Sequence, residues 1–205
     1  MNALIVGDVH GCYHTLKSLV RTHWEPHQGF LVFVGDTVNK GKHSFKAMAY
    51  VAKLAHKHPN KVIHVLGNHE RQWYREVKAG RKLRMQATWE SKSWTTISLK
   101  KHLKSLPLYW QWGQVVVTHC GLTSLDYPEK VRMAFHKRKV VAVGKTQVYG
   151  HIPTQDNAIA YSKKADAYNL DTRAWAGFAL SAVRLSRSGE LLEKISVPTD
   201  PRDLA

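Results

Sequence analysis

Apolar runs and helical spacings alternate over the first third of the chain. Three short apolar runs, at residues 3–6, 29–34 and 61–66, are each followed by a glycine and a polar residue. Between them, residues 12–22 and 44–57 carry apolar side chains three and four positions apart, a spacing typical of amphipathic helices. This alternation predicts βαβ units and a largely parallel sheet, in which ligands bind at the C-terminal ends of the strands.

The pattern changes after residues 91–106, where the apolar spacing is loosely helical until Pro107 ends it. Short runs separated by Gly, Pro, Asn or Asp then predict strands at 108–112, 115–118, 146–149, 158–161, 167–170, 179–185 and 191–197. We therefore expect an α/β first half and a β-rich second half that share one core. The expected organisation is a single domain over residues 1–205, with a loosely held tail at 198–205.

Composition narrows the class of protein. The 205 residues are 43% hydrophobic, which is enough for a sizeable core, and two cysteines exclude a disulfide scaffold. No apolar run approaches the roughly 20 residues that cross a bilayer. The first residues lack a basic region and a cleavage site. We expect a cytoplasmic protein without a membrane segment.

Positive charge is concentrated in one part of the chain. The formal net charge is +16, and residues 71–104 hold ten Lys or Arg against two Glu, a net +8. We treat residues 71–106 as a basic helical insertion that also carries Trp73, Trp89 and Trp94. It could contact a polyanion, or it could be a solvated helical face with its aromatic side chains packed inward.

Five polar clusters follow predicted strands and carry the candidate chemistry. They are Gly-Asp-Val-His-Gly at 7–11, Gly-Asp-Thr-Val-Asn-Lys-Gly at 35–41, Gly-Asn-His-Glu at 67–70, Thr-His-Cys-Gly at 118–121 and Gly-His-Ile-Pro at 150–153. Carboxylate, imidazole and amide oxygen suit Mn²⁺, Fe or Zn²⁺. Two Asp, three His and one Asn are too many for one four-coordinate zinc, but they suit two ions that share a carboxylate.

This series of motifs resembles the calcineurin-like metallophosphoesterases. Within them it is similar to the phosphoprotein phosphatase branch, which includes small bacterial and phage Ser/Thr phosphatases and the symmetrical diadenosine tetraphosphatases. The pattern GDxHG, GDxxxxG, GNHE, a lone His and GH keeps the family order from residue 7 to 152. The resemblance implies an α/β fold, a four-layer α/β/β/α sandwich with the metal site at the strand ends.

The resemblance also implies two divalent ions, with Mn²⁺ expected first and Fe or Zn²⁺ as alternatives. Six side chains would hold them: Asp8 and His10 the first ion, Asp36 both ions, and Asn68, His119 and His151 the second. A hydroxide between the ions would attack phosphorus in line, without a covalent phosphoenzyme. His69 would protonate or orient the leaving alcohol.

The second motif departs from the family pattern GDxxDRG at two positions. Asn39 replaces the Asp that partners the GNHE histidine; because Asn is neutral, the pKa of His69 should be lower than in relatives. Lys40 replaces Arg and keeps the positive charge without the bidentate fork. We assign phosphate binding to Lys40, then to Arg71, together with Asn68.

Other positions carry weaker expectations. Arg132 or Arg138 could supply a further cation. Residues 169–172, Asn-Leu-Asp-Thr, look like the closing strands of the family, although Arg173 stands where a Gly is usual. Cys12 and Cys120 could be a redox-sensitive pair or two unrelated reduced thiols.

Three functions fit the sequence. The first is a phosphatase for phosphoserine or phosphothreonine in proteins. The second is a hydrolase of dinucleoside polyphosphates such as diadenosine tetraphosphate, or of nucleic-acid ends, for which residues 71–104 could stack bases and neutralise phosphates. The third is a catalytically idle nucleic-acid-binding module, against which the full set of metal ligands argues.

Overall fold

The computed structural model of the chain describes residues 1–81, 96–123 and 139–204, and two five-stranded sheets lie at its centre. The first contains β1 (Asn2–Val6), β2 (Gly29–Phe33), β3 (Val62–His64), β9 (Ala179–Ser186) and β10 (Leu191–Pro198), in the order β10-β9-β1-β2-β3. The second contains β4 (Tyr109–Trp112), β5 (Val115–Thr118), β6 (Thr146–Tyr149), β7 (Ala160–Ser162) and β8 (Ala167–Asn169), in the order β4-β5-β6-β8-β7.

Both sheets are mixed, and the parallel pairing expected for the first third of the chain is confirmed for β1, β2 and β3. In the first, β1, β2 and β3 are parallel, and the β9–β10 hairpin adds antiparallel strands beside β1. In the second, β5, β6 and β8 are parallel, and β4 and β7 are antiparallel edges. The C-terminal hairpin thus belongs to the same sheet as the N-terminal strands.

Helices flank the two sheets. The sheets face each other through an apolar layer that includes Ile5, Val32, Val117 and Val148. Helices α1 (Tyr13–His23) and α2 (Ser44–Lys57) cover the other face of the first sheet, and α3 (Asn68–Lys78) packs against α4 (Thr96–Ser105). This arrangement confirms the predicted α/β sandwich.

The basic segment at 71–106 is described only in part. Its ends form most of α3 and all of α4, which meet through Trp73, Val77, Leu99 and Leu103. Residues 82–95, including Trp89 and Trp94, lie outside the described residues. Among the helices that are described, none combines the length and apolar character that a membrane span requires.

The expectation of a loosely held tail is wrong, because residues 198–204 are held against α1. Pro201–Asp203 forms a 3₁₀ helix, and the Asp203 side chain is fully buried. Its Oδ1 accepts a hydrogen bond from the His14 backbone N–H at 3.0 Å, and its Oδ2 accepts from the N–H and hydroxyl of Thr15, both at 2.8 Å. Cys12, at the N-cap of α1, makes no capping bond. Asp203 therefore caps this helix from the far end of the chain.

Asp203→Ala is expected to lower the free energy of unfolding by about 2–3 kcal/mol, since it removes a helix cap and leaves buried hydrogen-bond donors without an acceptor. Urea unfolding followed by circular dichroism measures the change. Asp156→Ala, at an exposed position, is the matched control and should change stability by no more than about 0.5 kcal/mol. Equal unfolding midpoints for the two variants would contradict the capping role.

Candidate metal centre

The six predicted ligands lie where the two sheets bring the C-terminal ends of their parallel strands together. Asp8 follows β1, Asp36 follows β2 and Asn68 follows β3 at the start of α3; His119 follows β5 and His151 follows β6. His10 lies two residues beyond Asp8 in the loop before α1. The first sheet supplies the carboxylates and the amide, and the second sheet supplies two imidazoles.

Asp36 lies in the middle of the site. Its Oδ2 is 3.3 Å from Nε2 of His119 and 3.8 Å from Nε2 of both His10 and His69. Burial opposes ionisation, but these imidazoles, led by His119, lower the pKa of Asp36 below its usual value. Asp36 thus stays a carboxylate that two cations can share.

His10 is oriented by the backbone. Its Nδ1 donates to the carbonyl of Val38 at 3.0 Å, so Nε2 points toward Oδ2 of Asp8 at 4.0 Å and toward Asp36. Burial lowers the pKa of His10 to about 3. The ring is therefore neutral and presents the Nε2 lone pair that a metal ion requires.

A second group of donors surrounds the amide oxygen of Asn68. This Oδ1 lies 2.9 Å from Nε2 of His119 and 2.9 Å from Nδ1 of His151, while Nδ1 of His119 donates to the Val34 carbonyl at 3.1 Å. Burial acts to lower the pKa of His119, but Asp36 raises it to about 9. A cation that binds Nε2 must therefore displace a proton.

The donor set fits two divalent ions. Ligand atoms within 4.8 Å of one another form three overlapping groups: Asp8, Asp36 and His119; His10, Asp36 and His69; and His119, Cys120 and His151. Oxygen and imidazole nitrogen at this spacing suit hard to borderline cations. Cys120 is a neighbour that the sequence motifs did not place among the ligands.

The backbone is strained where it presents these ligands. His10, Asp36 and His151 have φ values of +45°, +51° and +72°. Such values cost roughly 1–3 kcal/mol each for residues other than Gly. Close packing adds a second constraint, because a Cβ on Gly67 would collide with the carboxylate of Asp36, and one on Gly150 with that of Asp8.

Glu70 holds the Asp36 loop without facing the ligands. Its buried carboxylate accepts hydrogen bonds from the backbone N–H groups of Asp36 at 2.8 Å, Thr37 at 2.7 Å and Gly67 at 3.1 Å. Burial, reinforced by the Asp36 charge, raises the pKa of Glu70 to about 7. The fourth residue of GNHE therefore ties the second motif to the third.

His69 is held by a series of hydrogen bonds that begins at Trp73, a residue that the sequence motifs did not assign to the site. The Trp73 indole N–H donates to Oδ1 of Asn39 at 2.8 Å, so the Asn39 amide nitrogen faces Nδ1 of His69 at 2.6 Å. Because an indole only donates, the amide orientation is fixed, and Nδ1 must accept. The proton of the neutral ring therefore lies on Nε2, toward Asp36. Trp73 is one helical turn beyond His69, so both side chains lie on the same face of α3.

The two predicted phosphate-binding cations occupy different places. Nζ of Lys40 lies 2.9 Å from Nε2 of His10 and 4.9 Å from the centre of the Trp175 ring, beside the group of His10, Asp36 and His69. Arg71 is half-buried in the first turn of α3, directly after Glu70. Arg132 and Arg138 lie outside the described residues.

Asp171 is a buried carboxylate that the sequence motifs did not assign to the site. Its Oδ1 accepts from the Arg173 N–H at 3.2 Å, and its Oδ2 has no hydrogen-bond partner among the residues described. Burial raises the pKa of Asp171, and the Lys40 ammonium opposes that rise. Arg173 has a φ of +54°, a left-handed conformation that Gly adopts with less strain than Arg.

The cysteines give no support to a redox pair. Cys12 and Cys120 are both buried and reduced. Burial, with a smaller effect of Asp203, raises the pKa of the Cys12 thiol to about 12. A thiol that does not ionise near neutral pH is a poor nucleophile.

The comparisons with known proteins agree with this geometry. Residues 1–175 match the calcineurin-like phosphoesterase family. The asymmetrical bis(5'-nucleosyl)-tetraphosphatase PrpE of Halalkalibacterium halodurans is 27% identical over 95% of this chain and 93% of its own length. The symmetrical bis(5'-nucleosyl)-tetraphosphatase of Erwinia tasmaniensis is 38% identical over 71 residues, which are 34% of this chain and 24% of that protein.

Solved structures give the same fold. One, assigned by inference as a diadenosine tetraphosphatase, superposes with a TM-score of 0.71 at 26% identity and covers 98% of this chain and 94% of its own. A serine/threonine phosphatase from Saccharomyces cerevisiae superposes with a TM-score of 0.60 at 15% identity, over 82% of this chain and 66% of its own. At that identity the second match speaks for the fold alone.

Proposed function

This chain belongs to the calcineurin-like phosphoesterase family, and from that premise we propose that it hydrolyses dinucleoside polyphosphates with two divalent metal ions. The observation that carries the proposal is the length of the similarity to PrpE, which runs over 95% of this chain. A phosphatase for phosphoserine or phosphothreonine, the first hypothesis from the sequence, becomes the second candidate because the same motifs serve both substrate classes.

The Asn39–His69 pair also favours the nucleotide. A serine alkoxide is a poor leaving group and must receive a proton as it departs, whereas a departing nucleotide leaves through a phosphate whose second pKa is about 6. The neutral Asn39 amide, held by Trp73, gives imidazolium no charge to pair with. Because burial lowers the pKa of His69, little of its imidazolium form is present near neutral pH, which suits a phosphoanhydride, whose leaving group needs no proton, better than a phosphoserine.

In the proposed mechanism the side chains act as metal ligands, as phosphate contacts and as a proton donor, and Asn68 has the first two of these roles. Two divalent ions, Mn²⁺ as first choice, would polarise the phosphoryl oxygens and lower the pKa of water. Asp36 would hold both ions, Asp8 and His10 one, and Asn68, His119 and His151 the other. Lys40 would move its flexible ammonium from His10 to a phosphoryl oxygen, with Arg71 and Asn68 as further phosphate contacts. His69, when it is protonated, would donate the Nε2 proton to the leaving oxygen and would remain as the neutral imidazole.

The test compares substrates on one preparation of enzyme with Mn²⁺. We expect kcat/KM for diadenosine tetraphosphate to exceed that for a phosphoserine peptide by about 100-fold. The metal ions, Lys40 and Arg71 would compensate the charge of four phosphates in the dinucleotide and of only one in the peptide. The products identify the attacked bond: two ADP indicate symmetrical cleavage, and ATP with AMP asymmetrical cleavage. A preference for the phosphopeptide would establish the second candidate.

Asn39→Asp should shift the pH optimum for a phosphoserine peptide upward by about one unit or more. Burial lowers the pKa of His69, and the nearby Lys40 lowers it further against the effect of Asp36. A carboxylate at position 39, beside Nδ1 of His69, would raise that pKa, so the proton donor would persist to higher pH. The measurement is kcat/KM against pH for both proteins. Superimposable profiles would contradict the role of Asn39.

A further inference from the structure

A second group of metal-type ligands lies outside the candidate centre, where the end of the chain meets two helices. His14 is in the first turn of α1, His43 precedes α2 at its N-cap, and Asp203 is in the C-terminal 3₁₀ helix. One ligand atom from each lies within 4.8 Å of the other two, and the imidazole ring centres are 5.1 Å apart. We call these three residues the tail cluster.

The hydrogen bonds of the tail cluster leave lone pairs for a cation. Nε2 of His43 donates to the Arg202 carbonyl at 2.9 Å, so Nδ1 keeps its lone pair. Metal-binding histidines in proteins almost always donate their other ring N–H in this way. Oδ1 of Asp203 accepts one hydrogen bond, from the His14 N–H at 3.0 Å, and can accept more.

We propose that His14, His43 and Asp203 bind a third divalent cation of the Zn²⁺ class, which clamps the C-terminal segment to α1 and α2. Two imidazoles and one carboxylate are a common zinc ligand set, and a water completes four-coordination. His14 and His43 are only half-buried, which gives the ion an entry path and the water a place.

The clamp would brace the loops that carry the catalytic ligands. The His43 N–H donates to the Gly11 carbonyl at 3.0 Å, and the Lys42 N–H donates to the Asp203 carbonyl at 3.3 Å. The Gly41 N–H donates to the His10 carbonyl at 2.8 Å. A cation in the tail cluster therefore fixes the end of the strained segment between β2 and α2 relative to His10.

The experiment isolates this ion from the proposed catalytic pair. An untagged Asp36→Asn/His119→Gln protein, weakened at the catalytic centre, is titrated with Zn²⁺ by calorimetry and with Co²⁺ by visible absorption. We expect one site with the intense bands of four-coordinate Co²⁺ in this background. Adding His14→Gln and His43→Gln should abolish it, whereas adding His27→Gln, at an exposed surface position, should not.

Stability gives a second measurement. In the same background, Zn²⁺ at 100 times its Kd should lower the unfolding equilibrium constant about 100-fold. This effect should disappear with His14→Gln/His43→Gln and persist with His27→Gln. No Zn²⁺ site in the background protein, or a site and a stabilisation that survive His14→Gln/His43→Gln, would overturn the proposal. Neither result depends on which phosphoester the enzyme hydrolyses.

Discussion

Asp36→Asn is expected to lower kcat/KM on any phosphoester by on the order of 1,000-fold or more. Removing one donor that stabilises a transition state in a water-excluded site costs roughly 100- to 1,000-fold. Asp36 lies between the ligands proposed for the two ions, with its Oδ2 3.3 Å from Nε2 of His119 and 3.8 Å from that of His10. Its loss therefore affects both proposed ions at once.

The substitution should leave the fold intact. Asp36 has a φ of +51°, a conformation that Asn tolerates at least as well as Asp. Oδ1 accepts the His69 backbone N–H at 3.0 Å, and the amide oxygen of Asn can accept the same bond. A loss of activity in Asp36→Asn thus reports on the negative charge, because the packing and this hydrogen bond are kept.

Two assays check the result, with Asp156→Asn as an exposed control. Release of phosphate from an aryl phosphate with Mn²⁺ gives the loss of activity, and calorimetric titration with Mn²⁺ should give weaker binding than in the control. If Asp36→Asn kept activity within about tenfold of the unaltered protein at saturating Mn²⁺, Asp36 would not be the ligand that the two ions share.

The strand-end motifs were predictable from sequence because their geometry is local. The ligands lie in the short segments that follow β1, β2, β3, β5 and β6. Glycines such as Gly67 and Gly150 let the backbone approach the carboxylates of Asp36 and Asp8. Because the C-terminal ends of parallel strands lie at the same edge of a sheet, the ligands that follow them come close together. The family motif adds their order, which is why a set of candidate ligands at residues 8–151 could be proposed from the amino-acid sequence alone.

Long-range pairing was not predictable in the same way. Nothing in the local pattern of β9 says that it pairs with β1, and the cap that Asp203 gives to Thr15 spans 188 residues. From the sequence, Trp73 was only one aromatic residue of a basic segment that either faces a polyanion or packs inward. Its bond to Asn39 was not predictable, because that bond depends on how α3 meets the loop after β2. Such contacts are set by tertiary packing, which spacing along the chain does not encode.

His69→Asn is expected to slow the enzyme by an amount that depends on the leaving group. Loss of a general acid typically costs 100- to 10,000-fold, and we expect that range for a phosphoserine peptide, whose alkoxide must be protonated as it departs. For diadenosine tetraphosphate the departing phosphate is stable without a proton, so the loss should be no more than about tenfold. Asn can donate a hydrogen bond from the same place on α3, but it cannot give up a proton.

The measurement is kcat on three substrates: the phosphopeptide, an aryl phosphate with an acidic phenol and the dinucleotide. His27→Asn, at an exposed position, is the control and should leave all three rates unchanged. A decline that becomes smaller as the leaving group becomes more acidic identifies His69 as the proton donor. An equal decline on all three substrates would instead mean that His69 acts through binding, since a proton donor must matter most where the leaving oxygen is most basic.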